Sequence, residues 1–160
     1  MFAKIPTTKY PPNTKPVLIW DGECGFCKYW VLRWEQLIKD RVRFRTYQEV
    51  ASEFPDIPIK EFKKASRFID LNGTIFSGPD SAYKSYTYSN KSLPWHRWYH
   101  SSTIFRWLSD HGYNFIAKHR PLFYKITILF FGKNPKSIKP YWFIYTLIFL
   151  GIFYMLLKLL

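Results

Sequence analysis

Only two cysteines occur in the 160-residue chain, and they lie three positions apart, at Cys24 and Cys27. On the first turn of a helix this spacing separates the two residues by about 5 to 6 Å, which matches the Cα separation of a disulfide. The framework of a small disulfide-rich secreted domain would need several spaced pairs instead. The two cysteines are therefore predicted to be a redox-active or metal-binding pair.

The position of each cysteine on the helix predicts its role in thiol–disulfide exchange. A helix N-terminus offers free backbone N–H groups and the positive end of the helix dipole, which can bring a cysteine pKa to between about 3.5 and 7.5. Cys24 gains most from this and is reachable from solvent, so we predict that it is the nucleophile. Cys27 lies one turn further in, shielded by the core, and is predicted to be the resolving cysteine. Asp21 is predicted either to accept the proton of Cys27 or to cap the turn and helix with its side-chain oxygen.

The segments around the dithiol predict a strand–helix–strand unit. Residues Pro16–Asp21 form a continuous apolar run typical of a buried strand in a parallel sheet. From Cys24 to Asp40, apolar residues recur at intervals of three and four, which predicts an amphipathic helix. Arginines alternate with Val42, Phe44 and Thr46, which predicts a second strand with one polar face. The cysteines are therefore expected where the first strand passes into the first helix.

Later segments predict an antiparallel hairpin and further helices. Arg67–Leu71 and Thr74–Ser77 flank Asn72-Gly73, a dipeptide suited to a two-residue hairpin turn. Turn and proline signals predict helices over Ser81–Tyr88, Pro94–His111 and Pro121–Phe131.

The segment Asp21-Gly22-Glu23-Cys24-Gly25-Phe26-Cys27 resembles the signature of the DCC family of thiol-disulfide oxidoreductases, named for an Asp, a Cys and a Cys at the end of the first strand. The resemblance continues through residues 68–73 and 77–82 and, more weakly, 122–134, so it covers residues 16–134. It implies an α/β fold, thioredoxin-like, with a mixed sheet and flanking helices. It also implies dithiol chemistry for Cys24 and Cys27 and marks Asp21 as a family residue, but implies no particular substrate. In one departure from thioredoxin, residues 63–66 contain no proline where thioredoxins keep a cis-proline facing the dithiol.

The charge distribution and the C-terminal segment predict a membrane anchor. The net charge is +13, and all 11 acidic residues lie at or before Asp110, which favours a polyanionic partner such as nucleic acid or an anionic membrane surface. Tyr141–Leu157 carries no charge, and the three residues after it add only Lys158. At about 1.5 Å per residue, a helix over 141–160 spans about 30 Å, the thickness of the hydrocarbon core. We therefore expect a transmembrane helix and no nucleic-acid partner; the alternative is an apolar helix packed on the domain or in an oligomer.

The predicted organisation has four parts. A Pro-rich lead covers residues 1–15 and has no apolar run of signal-peptide length. The thioredoxin-like domain covers 16–134, a basic linker 135–140, and the anchor 141–160. Lys133, Lys136 and Lys139 precede the anchor, so the positive-inside tendency predicts a cytoplasmic domain and a single-pass C-terminal anchor.

The predicted function is a membrane-anchored oxidoreductase that exchanges its dithiol or disulfide with a partner protein or a small thiol. It contacts membrane lipid through residues 141–160 and their basic flank, and it needs no cofactor and no metal. One alternative is a non-enzymatic thioredoxin-like docking module of a membrane complex. Another is a zinc-binding domain in which His96 and His100 join the two cysteines, although 68 residues separate Cys27 from His96, far more than in compact zinc modules.

Overall fold

A four-stranded mixed sheet forms the centre of the computed structural model, which describes residues 2–90 and 93–159; Met1 and Leu160, the outermost residues of the predicted lead and anchor, lie outside that range. The strands are β1 (Val17–Trp20), β2 (Arg43–Thr46), β3 (Arg67–Ile69) and β4 (Ile75–Ser77). Their order is β2-β1-β3-β4, with β1 parallel to β2 and antiparallel to β3, and β3 antiparallel to β4. This confirms the predicted mixed sheet.

Eight α-helices are present in the described residues. They are α1 (Gly25–Ile38), α2 (Tyr47–Val50), α3 (Ile59–Lys64), α4 (Pro79–Tyr86), α5 (Trp95–Ser101), α6 (Thr103–Lys118), α7 (Arg120–Phe131) and α8 (Tyr141–Leu159). Two single 3₁₀ turns, Lys39–Arg41 and Ala51–Glu53, follow α1 and α2. The predicted α/β class with flanking helices is confirmed.

Both faces of the sheet are buried, which explains why β1 is a continuous apolar run. Val17 and Ile19 contribute to a core with the helices that follow β2, whereas Leu18 points to the opposite face and packs in a second core with residues of α1. These three strand residues are at most 1% exposed. The first strand and α1 are therefore held rigidly, and the turn that joins them carries the cysteines.

Three predicted elements differ from the structure. The single helix predicted over Pro94–His111 is wrong: α5 ends at Ser101, and α6 begins after Ser102, whose side chain accepts a hydrogen bond from the backbone N–H of Phe105 at 3.2 Å and so caps the new helix. The helix predicted from Ser81 begins at Pro79 and ends at Tyr86. The β3–β4 hairpin is present, but its strands end at Ile69 and restart at Ile75, so the connection is longer than two residues.

The N-terminal lead packs against the domain. Phe2 is buried, and Thr8 donates a backbone hydrogen bond to the carbonyl of Gly73 at 2.9 Å. Ile75 of β4 donates to the carbonyl of Pro6 at 2.8 Å. The segment before residue 16 thus covers the β3–β4 hairpin, and the domain boundary at that residue stays a prediction.

The C-terminal helix α8 is exposed along its described side chains apart from its first residue. It meets α7 near its start, where the rings of Phe130 and Tyr145 have centroids 6.0 Å apart. By length and composition it is the one helix among the described residues that could cross a membrane, over Tyr141–Lys158, and none of that window is buried in the chain. An apolar helix whose side chains are not buried by the rest of the chain is consistent with the predicted anchor.

Candidate active site

The two cysteines form a disulfide at the N-terminus of α1, with their Cα atoms 5.2 Å apart. Cys24 is the N-cap of α1 and has an extended backbone, and its sulfur accepts a hydrogen bond from the backbone N–H of Cys27 at 3.1 Å. The Cys24 N–H donates to the carbonyl of Asp21 at 3.2 Å, which closes the turn after β1. The sulfur of Cys24 thus lies on the free N–H groups of a helix, where a thiolate is stabilised.

Exposure does not separate the two cysteines as expected, because both residues are half-buried. They differ in surroundings: Cys27 lines a cavity beside α1, and Cys24 caps the helix. The assignment of nucleophile and resolving cysteine therefore stays a prediction.

Asp21 holds the turn that precedes the dithiol. Its Oδ1 accepts hydrogen bonds from the backbone N–H of Glu23 and from Nε2 of Gln48, each at 3.2 Å. Its Oδ2 lies 3.3 Å from Nη1 of Arg120, the first residue of α7. This is the geometry of a turn cap tied to a distant helix. Proton transfer from Cys27 to Asp21 stays a prediction.

Gly22 is closely packed at this turn, where a larger residue would displace neighbouring side chains. A Cβ on Gly22 would lie 2.8 Å from Cγ2 of Thr46 and 3.1 Å from Oε1 of Gln48. Gln48 also accepts the backbone N–H of Gly22 at 3.1 Å, so it fixes both the turn and Asp21. No spacing or motif in the sequence points to Gln48, because its role depends on where α2 packs.

The helix that carries the dithiol is positioned by aromatic packing against α7. The rings of Phe26 and Phe123 have centroids 6.4 Å apart, and those of Trp30 and Phe131 are 5.9 Å apart. Tyr29 donates a hydrogen bond from its hydroxyl to the carbonyl of Gly132 at 3.0 Å, and burial raises the pKa of this tyrosine. Helix α7 therefore packs directly on the dithiol helix.

A cavity of about 570 Å³ adjoins the dithiol. Cys27 and Asp21 line it together with the guanidinium-bearing Arg120. The rest of the lining is mainly aromatic and aliphatic. Most of it comes from α1, α6 and α7, and the remainder comes from β1, α3, α4 and Ser66; it includes Phe26, Trp30, Leu108, Ile116, Phe123 and Phe131. A volume in this range is typical of cavities that receive a small molecule or a few side chains.

Ser66, immediately before β3, lines the same cavity as Cys27. It occupies the region where the sequence lacks the proline of thioredoxins, and the described residues contain no cis peptide bond. Its backbone N–H donates to the hydroxyl of Tyr113 in α6 at 3.0 Å, and its Oγ lies 2.7 Å from Oγ of Ser81. Helix α6 is therefore bonded to the chain just before β3 and lines the same cavity as Cys27, a contribution that the sequence did not predict.

A buried ion pair fixes the start of β3 next to Ser66. Arg67 is fully buried, and its guanidinium lies 3.2 Å from Oε2 of Glu61 and donates to the carbonyl of Ala3 at 2.6 Å and to Oγ of Ser77. Burial lowers the pKa of Arg67, and the charge of Glu61 opposes this change. A hydrogen bond from Lys64 lowers the pKa of Glu61. Nothing in the local sequence distinguishes this arginine from the exposed ones.

The zinc alternative with four ligands is not assembled in the described part of the chain. His96 and His100 both contact the carboxylate of Asp80, at 2.9 Å each, and the two cysteines are bonded to one another instead of joining them. A Cys₂His₂ site is therefore excluded for this arrangement of the chain.

Comparison with known proteins identifies a matching family. A family model described as DCC1-like thiol-disulfide oxidoreductase matches residues 18–125, which include β1 except Val17, β2 to β4, the dithiol and α6. No curated protein and no solved structure matches the chain. The mixed sheet with flanking helices is consistent with a thioredoxin-like fold for this family. The chain belongs to the DCC1-like thiol-disulfide oxidoreductase family.

Proposed function

We propose that this protein is a membrane-anchored thiol–disulfide oxidoreductase that exchanges the Cys24–Cys27 pair with a partner protein or a small thiol. The observation that carries the proposal is the position of the dithiol at the N-terminus of α1, where the Cys24 sulfur accepts the N–H of Cys27 at 3.1 Å. The same N–H stabilises a thiolate on Cys24 once the disulfide is reduced.

In the reducing direction, the Cys24 thiolate attacks one sulfur of a partner disulfide. A bond forms between that sulfur and Cys24, the partner S–S bond breaks, and the second partner sulfur leaves as a thiolate that takes up a proton. Deprotonated Cys27 then attacks the Cys24 sulfur and displaces the first partner sulfur, which is protonated in turn. Two electrons pass from the chain to the partner. Of the two protons that the partner sulfurs take up, one is released by Cys27 and one comes from solvent, which received it when Cys24 ionised; the reverse sequence oxidises a partner dithiol.

Asp21 serves this cycle in two ways. Its hydrogen bonds to Glu23 and Gln48 hold the turn, so the sulfur of Cys24 stays on the helix N-terminus. Asp21 and Cys27 line the same cavity, which supports the carboxylate as the acceptor of the Cys27 proton. The apolar lining favours an apolar side chain next to the reacting cysteine of the partner.

The anchor proposed for the enzyme is α8, inserted in the membrane with Lys133, Lys136 and Lys139 on the cytoplasmic side. The positive-inside tendency supports this orientation. Thiols in that compartment are kept reduced, so the proposed net reaction is reduction of the partner.

Trapping of mixed disulfides tests the exchange. In the full chain, Cys27→Ser should accumulate adducts that disappear on reduction, because the Cys24 mixed disulfide can no longer be resolved. Cys24→Ser is the matched control and should capture none. In Cys27→Ser, alkylation of Cys24 across pH should follow an apparent pKa below the free-thiol value of about 8.5. An ordinary thiol pKa together with no adduct in either variant would favour the docking-module alternative.

Labelling of the dithiol tests the sidedness. In intact cells, a thiol reagent that cannot cross membranes should leave Cys24 of the Cys27→Ser variant unmodified and should modify it after permeabilisation. Modification in intact cells would place the domain on the opposite side, whatever the chemistry of the dithiol.

A further inference from the structure

Two histidines and an aspartate that have no part in the dithiol chemistry converge between α4 and α5. Oδ1 of Asp80 lies 2.9 Å from Nδ1 of His96, and Oδ2 lies 2.9 Å from Nε2 of His100. One ligand atom from each residue falls within 4.8 Å of the other two. We propose that Asp80, His96 and His100 form a binding site for a divalent transition-metal ion, with Zn²⁺ as the ion that best fits the donors.

The donor set matches zinc chemistry. Imidazole nitrogen and carboxylate oxygen bind Zn²⁺ at about 2.0 to 2.2 Å, and three protein ligands with an open fourth position are typical of zinc sites that keep a water molecule. Ligand atoms around a tetrahedral ion at these distances are about 3.3 Å apart. Around one ion, the 2.9 Å contacts between Asp80 and the histidines would open by a few tenths of an ångström, and the ligand atoms, which now lie within 4.8 Å of one another, would draw together to this separation.

The ligands are held by rigid elements rather than by loops. His96 and His100 are four residues apart on α5, so both imidazoles project from one face of the helix. Asp80 is in the first turn of α4, and its side chain is 8% exposed. The buried carboxylate of Asp80 thus already lies beside both imidazoles, and the same three side chains would be the ligands of the metal.

Aromatic packing orients both imidazole rings. The ring of Phe76 in β4 packs edge-on against His96, with centroids 5.3 Å apart, and against His100 at 6.3 Å. Tyr99 packs edge-on against His100 at 5.5 Å. Preorganised rings of this kind reduce the entropy lost when a metal binds.

A bound ion would join α4 to α5. Pro79, Ala82 and Tyr83 of α4 also line the cavity beside Cys27, so a metal at Asp80 would brace one wall of that cavity. The metal site is independent of thiol–disulfide exchange, because none of the three ligands belongs to the dithiol.

Zinc uptake by the full chain in detergent, with the disulfide oxidised, tests the site. The wild type should bind about one Zn²⁺ per chain in equilibrium dialysis, and His96→Gln/His100→Gln should lose this uptake. The matched control is His111→Gln/His119→Gln, which removes the other two histidines of the chain and should leave uptake unchanged. With Co²⁺ as a probe, the wild type should give visible d–d absorption without a thiolate-to-metal charge-transfer band.

A milder variant guards against loss of folding. The side chain of His100 is 54% exposed, so His100→Gln should fold, and its thermal midpoint should not rise with Zn²⁺ as the wild-type midpoint does. No uptake by the oxidised wild type, full uptake by the His96/His100 double variant, or a thiolate charge-transfer band would each overturn the proposal. If the dithiol variants lose exchange activity but still take up zinc, the zinc-site proposal is supported independently of the exchange reaction.

Discussion

Replacing two leucines near the middle of α8 with arginine tests whether this helix spans a membrane. The helix contains eleven Leu, Ile and Phe residues, which favour insertion by about 0.3 to 0.6 kcal/mol each, or about 3 to 7 kcal/mol together. Each arginine at the centre costs about 2.5 to 3.5 kcal/mol and also removes a leucine. Leu147→Arg/Leu150→Arg therefore costs about 6 to 8 kcal/mol, which cancels or exceeds the insertion free energy. The assay is the fraction of full chain that stays in membranes after an alkaline wash.

The matched control adds the same charge elsewhere. Leu71 and Ile59 are exposed to a similar extent in the domain, at 47% and 56% against 54% and 53% for Leu147 and Leu150. Leu71→Arg/Ile59→Arg should stay in the membrane like the wild type, whereas the α8 variant should be released. Retention of the α8 variant, or equal release of the control, would refute the insertion argument. Release of the wild type by the alkaline wash would show that α8 does not span the membrane.

The remaining predictions concern stability of the domain and are checked by urea unfolding. Arg67→Met should lower the free energy of unfolding by about 3 to 5 kcal/mol, because it leaves the buried carboxylate of Glu61 without this partner; a loss under about 1 kcal/mol would contradict the importance of the pair. The hydrogen bond from Lys64 lowers the pKa of Glu61 below its ordinary value of 4.5. This carboxylate should therefore contribute stability that is fully present above pH 4.5 and is lost as the pH falls through the folded-state pKa. Glu61→Gln should make the free energy of unfolding less dependent on pH in this acid range. Gly78→Ala should cost about 1 to 3 kcal/mol from its backbone conformation of φ +62° and ψ −127° alone, and more from overlap of the new Cβ with the ring of Phe2. An unchanged midpoint would be evidence against this backbone conformation.

Local sequence patterns were sufficient to predict the cysteine pair and the strand and helix that carry it. The apolar run of β1, the turn at Asp21 and the helical period after Cys24 all lie within about 25 residues, so neighbouring residues alone place the dithiol at a helix N-terminus. The candidate anchor is readable for the same reason, because length and apolarity are properties of one continuous segment. The short helices α2 and α3 escaped prediction, since a helix of four or six residues has too few turns to show a period.

Contacts between distant segments were decided by the tertiary structure alone. Asp21 forms an ion pair with Arg120, which is 99 residues away in the sequence, and the backbone N–H of Ser66 donates a hydrogen bond to Tyr113, which is 47 residues away in the sequence. The convergence of His96 with Asp80 likewise depends on how α4 and α5 cross, and the helical spacing of the histidines suggested different partners. Periodicity and propensity report which face of an element is buried, but not which other element covers that face. The cavity beside Cys27 and the ion pair at Asp21 therefore appear only when α6 and α7 pack against the sheet and α1.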